Sequence, residues 1–234
     1  MTTKRYEHIF FDLDHTLWDF DANAQLTMKA VFEDFELDHK LACGFEDFFE
    51  KYAVHNKLLW ERYQKGFITA DELKWRRMWR TLLDYKIGDE ELSKKMSAAF
   101  LEILPTQQGM FPHAHEILAY LSQKKYSIHL ITNGFEKTQW NKIRNSKIDH
   151  FFTHVITSEA SNSMKPEKEI FEYAIRKAGT TMSASIMIGD NLEADITGAL
   201  NAGMDAIFVN HIKASTDIKP THIIHDLKEL ENIL

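Results

Sequence analysis

The 234-residue chain contains one cysteine, Cys43, and therefore no internal disulfide, which fits a reducing compartment. No apolar run approaches the ~18 residues that a membrane-spanning helix requires. The first eight residues, Met1 to His8, hold no apolar leader core before the first strand-like run. Positive charge is not in excess: 28 Lys and Arg against 35 Asp and Glu give −7 with histidine neutral. That balance argues against a general nucleic-acid surface and leaves room for a locally basic pocket around a small anion. Also missing are Gly-x-Gly-x-x-Gly, a Gly-Lys-Ser/Thr phosphate loop and Gly-x-Ser-x-Gly. Their absence counts against a dinucleotide oxidoreductase, a P-loop nucleotidase and a serine hydrolase. There is no internal repeat and no low-complexity linker. At 44% hydrophobic and 27% charged, the composition is that of an ordinary globular protein, expected to be cytoplasmic.

The first feature of note is Ile9-Phe10-Phe11-Asp12-Leu13-Asp14-His15-Thr16-Leu17. A continuous apolar run is the signature of a fully buried strand, and open parallel sheets place ligands at the carboxyl ends of their strands. In extended backbone Asp12 and Asp14 share a face; if the chain turns, the Asp14 carbonyl would join the Asp12 carboxylate around one cation. The plain alternative is an Asx turn that ends a strand.

Two textures follow. From about residue 20 to 104 the apolar spacing is helical, as at Ala24, Met28, Val31, Phe32 and Phe35. Further helices are expected over 45–64, from the Thr69–Glu72 capping-box spacing to Leu83, and over 90–104. From Pro112 onward strands and helices alternate, with strands near 128–131, 152–157, 185–188, 206–209 and 222–224. This alternation predicts an α/β fold: a parallel sheet covered by helices on both faces, with strand one belonging to it and an all-helical domain inserted just after. The expected boundaries are 1–17 with 106–234 for the core and 18–105 for the insertion.

Polar residues stand at the strand ends: Asp12 and Asp14; Thr132-Asn133-Gly134; Ser163-Met164-Lys165-Pro166; Gly189-Asp190 with Asp195. In a parallel sheet these ends lie along one edge and converge. Asp12, Asp190 and Asp195 together would repel unless a cation neutralised them, and an all-oxygen set favours Mg²⁺. Beside Mg²⁺ and Lys165, Asp12 is placed to attack phosphorus and form an aspartyl-phosphate. Asp14 would protonate the leaving alkoxide and then activate water. Thr132, backbone N–H groups near Asn133, and Lys165 would bind the phosphoryl oxygens.

Asp12-x-Asp14-x-Thr16, Thr132, Lys165-Pro166 and Gly189-Asp190-x-x-x-x-Asp195 resemble the four motifs of the haloacid dehalogenase superfamily. The resemblance spans the whole chain. It implies a Rossmann-like core with a helical cap, Mg²⁺, Asp12 as nucleophile and Asp14 as acid/base, with the Asp14 carbonyl also on the metal. It further implies Asp190 as a metal ligand and Asp195 as an acidic residue at the metal site. The dehalogenases themselves lack the second motif-one aspartate, so Asp14 points to phosphoryl chemistry. In the insertion, Asn56-Lys57-Leu58-Leu59-Trp60-x-x-Tyr63-x-x-Gly66-x-Ile68-Thr69, with Leu73 and Arg77, resembles the noncanonical pyrimidine 5′-nucleotidase branch. Trp60 or Tyr63 would stack on a base and Arg77 would meet its polar edge, with Asn56 also expected to bind substrate; helical spacing equally suits these aromatics to the insertion's own core. The expected partner is a phosphorylated small molecule, foremost a pyrimidine nucleotide, with no nucleic-acid polymer and no membrane. The expected state is a monomer or weak homo-oligomer. A sugar-phosphate phosphatase, a phosphomutase, a 2-haloacid dehalogenase and a non-catalytic phosphate-binding regulator remain as alternatives.

Overall fold

A computed structural model describes residues 6–234; residues 1–5, on which part of the no-leader expectation rests, lie outside the described residues. Six parallel strands form one sheet: β1 (His8–Phe11), β2 (Ser127–Thr132), β3 (Phe152–Thr157), β4 (Ser185–Gly189), β5 (Asp205–Val209) and β6 (His222–Ile224). Their order is β3-β2-β1-β4-β5-β6. The chain builds outward from β1 to β3, then returns to β1's other side and builds outward again. The direction therefore switches between β1 and β4, where open α/β sheets leave a crevice at the carboxyl ends.

Strand alternation sorts the side chains. Phe10 pairs with His129 and Met187, and Phe11 with Leu130 and Ile188. Phe10, Ile131, Ile156, Met187, Ala206 and Phe208 bury one face together with Ile170, Phe171 and Ala174 from the helix Lys168–Ala178. Three apolar residues on one side of that helix are the i, i+1, i+4 pattern that seats a helix on a sheet. Gly179, at φ 66°, ends it in a left-handed turn.

The sheet-bearing unit comprises Met1–Phe20 with Gln108–Leu234, and the second unit Asp21–Gln107; the expected boundaries were 17/18 and 105/106. The second unit holds Phe45–Gln64, Ala70–Asp84 and Glu90–Ile103, with all but the first residue of Phe20–Asp34, as its long helices. Thr69 caps Ala70–Asp84 with the reciprocal Glu72 bond that the spacing anticipated. Two of the helices that the strand–helix alternation implies differ in detail. The helix expected after Asp190 opens as a π-helical turn, Leu192–Thr197, before the short helix Gly198–Ala202. The last helix is a 3-10 segment, Leu227–Asn232. Among the described residues no helix is long and apolar enough to cross a membrane.

Candidate active site

The site begins where β1 stops. The Asp12 N–H continues the ladder to the Ile188 carbonyl at 2.9 Å, and the chain then folds round the Leu13 carbonyl, which accepts from the N–H groups of Leu17 (3.0 Å) and Trp18 (2.9 Å). His15 takes the left-handed φ of 63° that this turn demands. The turn sends the two aspartates to different partners rather than along one strand face.

Asp12 faces Lys165. The buried Lys165 ammonium donates to Asp12 Oδ1 (2.5 Å), Asp195 Oδ1 (2.6 Å) and the Ile131 carbonyl (2.8 Å), so each of its three protons has an acceptor. Asn133 fixes the backbone beneath it: Asn133 Nδ2 donates to the Lys165 carbonyl and Asn133 Oδ1 accepts from the Lys165 N–H, both at 2.8 Å. Asn133, whose neighbouring backbone N–H groups are the expected phosphoryl contacts, thus uses its side chain to clamp Lys165.

Asp195 lies in the π-helical turn, a deviation that is often found at functional sites. Its second oxygen accepts from the Asn191 N–H at 3.0 Å. The carboxylate passes so close to β4 that a Cβ on Gly189 would stand 2.3 Å from Asp195 Oδ2. Only a residue without a side chain admits Asp195 to that position. Asp190, the next residue after Gly189, accepts from the Thr16 hydroxyl at 3.1 Å.

Oxygens of Asp12, Asp190 and Asp195 lie within 4.8 Å of one another. Burial first, then the charges of Asp195 and Asp14, push the Asp12 carboxyl up to about 7 against the pull of Lys165. Burial, followed by the charges of Asp195 and Asp12, also raises Asp190 well above the usual carboxylate range. Lys165 moves up as well: burial opposes its charge, but the two adjacent carboxylates outweigh that. With all three carboxylates ionised, the cluster carries two negative charges more than the Lys165 ammonium balances. A hard divalent cation on oxygen ligands would balance them, so the donor set fits Mg²⁺.

Asp14 turns the other way, to the helix Glu136–Asn145. Lys142 Nζ donates to Asp14 Oδ1 at 2.6 Å and Gln139 Nε2 to Asp14 Oδ2 at 3.1 Å. Gln139 Nε2 also reaches Thr132 Oγ1 at 2.7 Å, and the Gly134 N–H donates to the same oxygen at 3.1 Å. With two donors on its oxygen, the Thr132 hydroxyl has its proton to offer to an anion. Sequence reading missed Lys142 and Gln139; their i, i+3 spacing on a polar helix reads as a solvated face.

The residues expected to touch a base lie in the second unit. Arg77 is buried there, at 2% exposure. Its Nε donates to the Lys74 carbonyl (3.2 Å), its Nη1 to Asn56 Oδ1 (3.0 Å), and it stacks over Phe100 at 4.9 Å. Arg77 and Asn56 are therefore engaged with each other inside the helical unit, while the buried Arg77 Nη2 has no hydrogen-bond partner among the described residues. Trp60 and Tyr63 are half-buried and pack edge-to-face with ring centroids 5.7 Å apart.

Residues 6–203 match the family described as haloacid dehalogenase-like hydrolase. The pyrimidine 5′-nucleotidase YjjG of Escherichia coli (strain K12) is 33% identical, over 98% of this chain and 98% of that protein. A glyceraldehyde 3-phosphate phosphatase of Methanothermobacter thermautotrophicus is 31% identical, over 97% and 98% of the two chains. The magnesium-bound crystal structure of the HAD-hydrolase YfnB from Bacillus subtilis superposes with a TM-score of 0.89, at 29% identity, covering 98% of this chain and 99% of that one.

Proposed function

Because the chain belongs to the haloacid dehalogenase-like hydrolases, we propose that it is a Mg²⁺-dependent phosphomonoesterase that works through an aspartyl-phosphate. The carrying observation is that two aspartates one residue apart have separate partners, Lys165 for Asp12 and Lys142 with Gln139 for Asp14. One carboxylate can then attack while the other moves a proton.

Asp12 and Asp190, with the Asp14 main-chain carbonyl, would hold the cation; Asp195, whose oxygens already accept from Lys165 and Asn191, would serve from behind them. When bound, Mg²⁺ supplies positive charge to the phosphoryl oxygens and keeps Asp12 ionised. Lys165 keeps the attacking Asp12 oxygen in place. Thr132 donates its hydroxyl proton to a phosphoryl oxygen as charge shifts in the transition state. As the Asp12 oxygen–phosphorus bond forms, the ester phosphorus–oxygen bond breaks and Asp14 gives its proton to the departing alkoxide. Asp14 then takes a proton from the water that hydrolyses the acyl-phosphate, restoring Asp12 and releasing phosphate.

The substrate class is a nucleoside 5′-monophosphate, with pyrimidines first, supported by the similarity to YjjG over nearly the full length of both chains. The similarity to a glyceraldehyde 3-phosphate phosphatase keeps sugar phosphates as the second reading. A phosphate-release screen over nucleoside monophosphates, sugar phosphates and free nucleotide bases as blanks, with and without Mg²⁺, tests both. Preference for pyrimidine monophosphates supports the first reading. Turnover confined to sugar phosphates rejects it, and no Mg²⁺-dependent release from any monoester rejects the phosphatase assignment itself.

A further inference from the structure

We propose that Lys142 and Gln139 are positioning residues for Asp14, and that Gln139 joins this proton carrier to the phosphate-binding Thr132 in one rigid unit. The inference rests on the phosphomonoesterase reading above. Lys142 is 2% exposed, yet it carries a charge; a buried ammonium is tolerated only where it is paired and packed. Its Nζ has Asp14 Oδ1 at 2.6 Å and lies 4.3 Å from the Trp18 ring centroid and 5.3 Å from that of Phe20. Two aromatic faces and one carboxylate fix where the ammonium sits, each adding attraction in a site with little water.

Gln139 supplies the second grip. It is 1% exposed, and its single amide nitrogen donates both to Asp14 Oδ2 at 3.1 Å and to Thr132 Oγ1 at 2.7 Å. Each Asp14 oxygen is thus addressed by a different residue of one helix, three positions apart, so the plane of the carboxylate is set by the helix and not by the loop that bears it. Gly134 makes this arrangement possible. A Cβ there would stand 2.4 Å from Gln139 Cδ and 2.5 Å from Nε2. The glycine between Asn133 and Phe135 is therefore the space through which Gln139 reaches both partners.

The chemical consequence is specific. Asp14 must deliver a proton along the line of the breaking ester bond, and misalignment affects that transfer much more than the attack by Asp12. A substrate whose alkoxide needs the proton depends on the alignment, whereas an aryl phosphate whose phenolate leaves unprotonated does not.

The experiment compares Lys142→Met with wild type on a nucleoside monophosphate and on p-nitrophenyl phosphate, with rapid-quench measurement of the first turnover. The expected result is a loss of about 10- to 100-fold in the rate of alcohol release from the nucleotide, with KM changed by less than about threefold. The p-nitrophenolate burst should stay within about threefold of wild type, and Lys142→Arg should recover most of the alcohol-release rate. Equal losses on both substrates would reduce Lys142 to a structural support and overturn the proposal, as would no loss on either. If Lys142→Met does not fold, Lys142→Gln gives the same comparison by removing the ammonium while keeping a polar side chain at the position. Its selective loss on the nucleotide supports the proposal, and its equal behaviour on the two substrates refutes it. Failure of the underlying reading looks different: wild-type protein would then show neither burst nor turnover with any phosphomonoester.

Discussion

Replacing His129 by phenylalanine should remove part of the protein's sensitivity to acid. His129 lies at 1% exposure in β2, stacked on Phe10 at 4.6 Å and on His154 at 5.4 Å between ring centroids. Its Nε2 meets His8 Nδ1 at 2.9 Å, while its Nδ1 is buried with no hydrogen-bond partner among the described residues. Burial first, then the neighbouring His8 and His154, push its pKa down from the ordinary 6.5 to about 3. The folded protein therefore holds His129 neutral, whereas the unfolded chain takes a proton below 6.5. Stability from this residue is complete above pH 6.5 and drains away as the pH falls toward 3. At pH 5 the loss is ~2 kcal/mol relative to pH 8, from about 1.4 kcal/mol per pKa unit over the interval in which only the unfolded state is charged. For a chain of this size ~2 kcal/mol is roughly 4–8 °C in Tm. Denaturant unfolding of both proteins at pH 8 and pH 5 measures it. The wild type should lose ~2 kcal/mol more than His129→Phe over that interval. Parallel pH dependences would refute the reasoning.

Four further outcomes are expected. Gly189→Ala brings a methyl group to 2.3 Å from Asp195 Oδ2; the displaced carboxylate releases Lys165, and kcat should fall by at least about tenfold, checked by steady-state assay. Asp12→Asn should abolish phosphate release with the circular dichroism spectrum intact, and EDTA should silence the wild type until Mg²⁺ is returned; activity in metal-free buffer would remove the cation from the scheme. Trp60→Ala should raise KM for pyrimidine monophosphates by about tenfold and leave p-nitrophenyl phosphate unaffected if the ring stacks on a base; equal KM changes would make Trp60 part of the helical packing with Tyr63.

Strand ends were legible in the sequence because each couples an apolar run to residues that a buried strand cannot carry. Ile9 to Phe11 followed by Asp12, and Ile186 to Ile188 followed by Gly189 and Asp190, mark where backbone leaves the sheet. What lay hidden depends on burial, which one residue type does not announce. Lys142 and Gln139 are ordinary surface residues by type, and only the approach of the Asp14 loop makes them interior. Arg77 presents the opposite case. Among Trp75, Arg76 and Trp79 it looks like a free cation, but its turn of helix faces Asn56 and Phe100. The π-helical turn at Leu192–Thr197 was also unreadable, since its extra residue is required by Asp195 reaching Lys165 and leaves no periodicity of its own.

The position of β1 in the sheet also sets the order in which the chain can be made. β1 is synthesised first, but its two neighbours begin at Ser127 and Ser185. The unit Asp21–Gln107, by contrast, is continuous in sequence. On the ribosome the residues of the helical unit are therefore all present to contact one another while Ile9, Phe10 and Phe11 still have no strand to pair with. The nascent protein must carry Asp12 on an apolar strand that stays unpaired until β2 emerges and paired on one side only until β4 follows, so late completion of the sheet is built into the chain's own order.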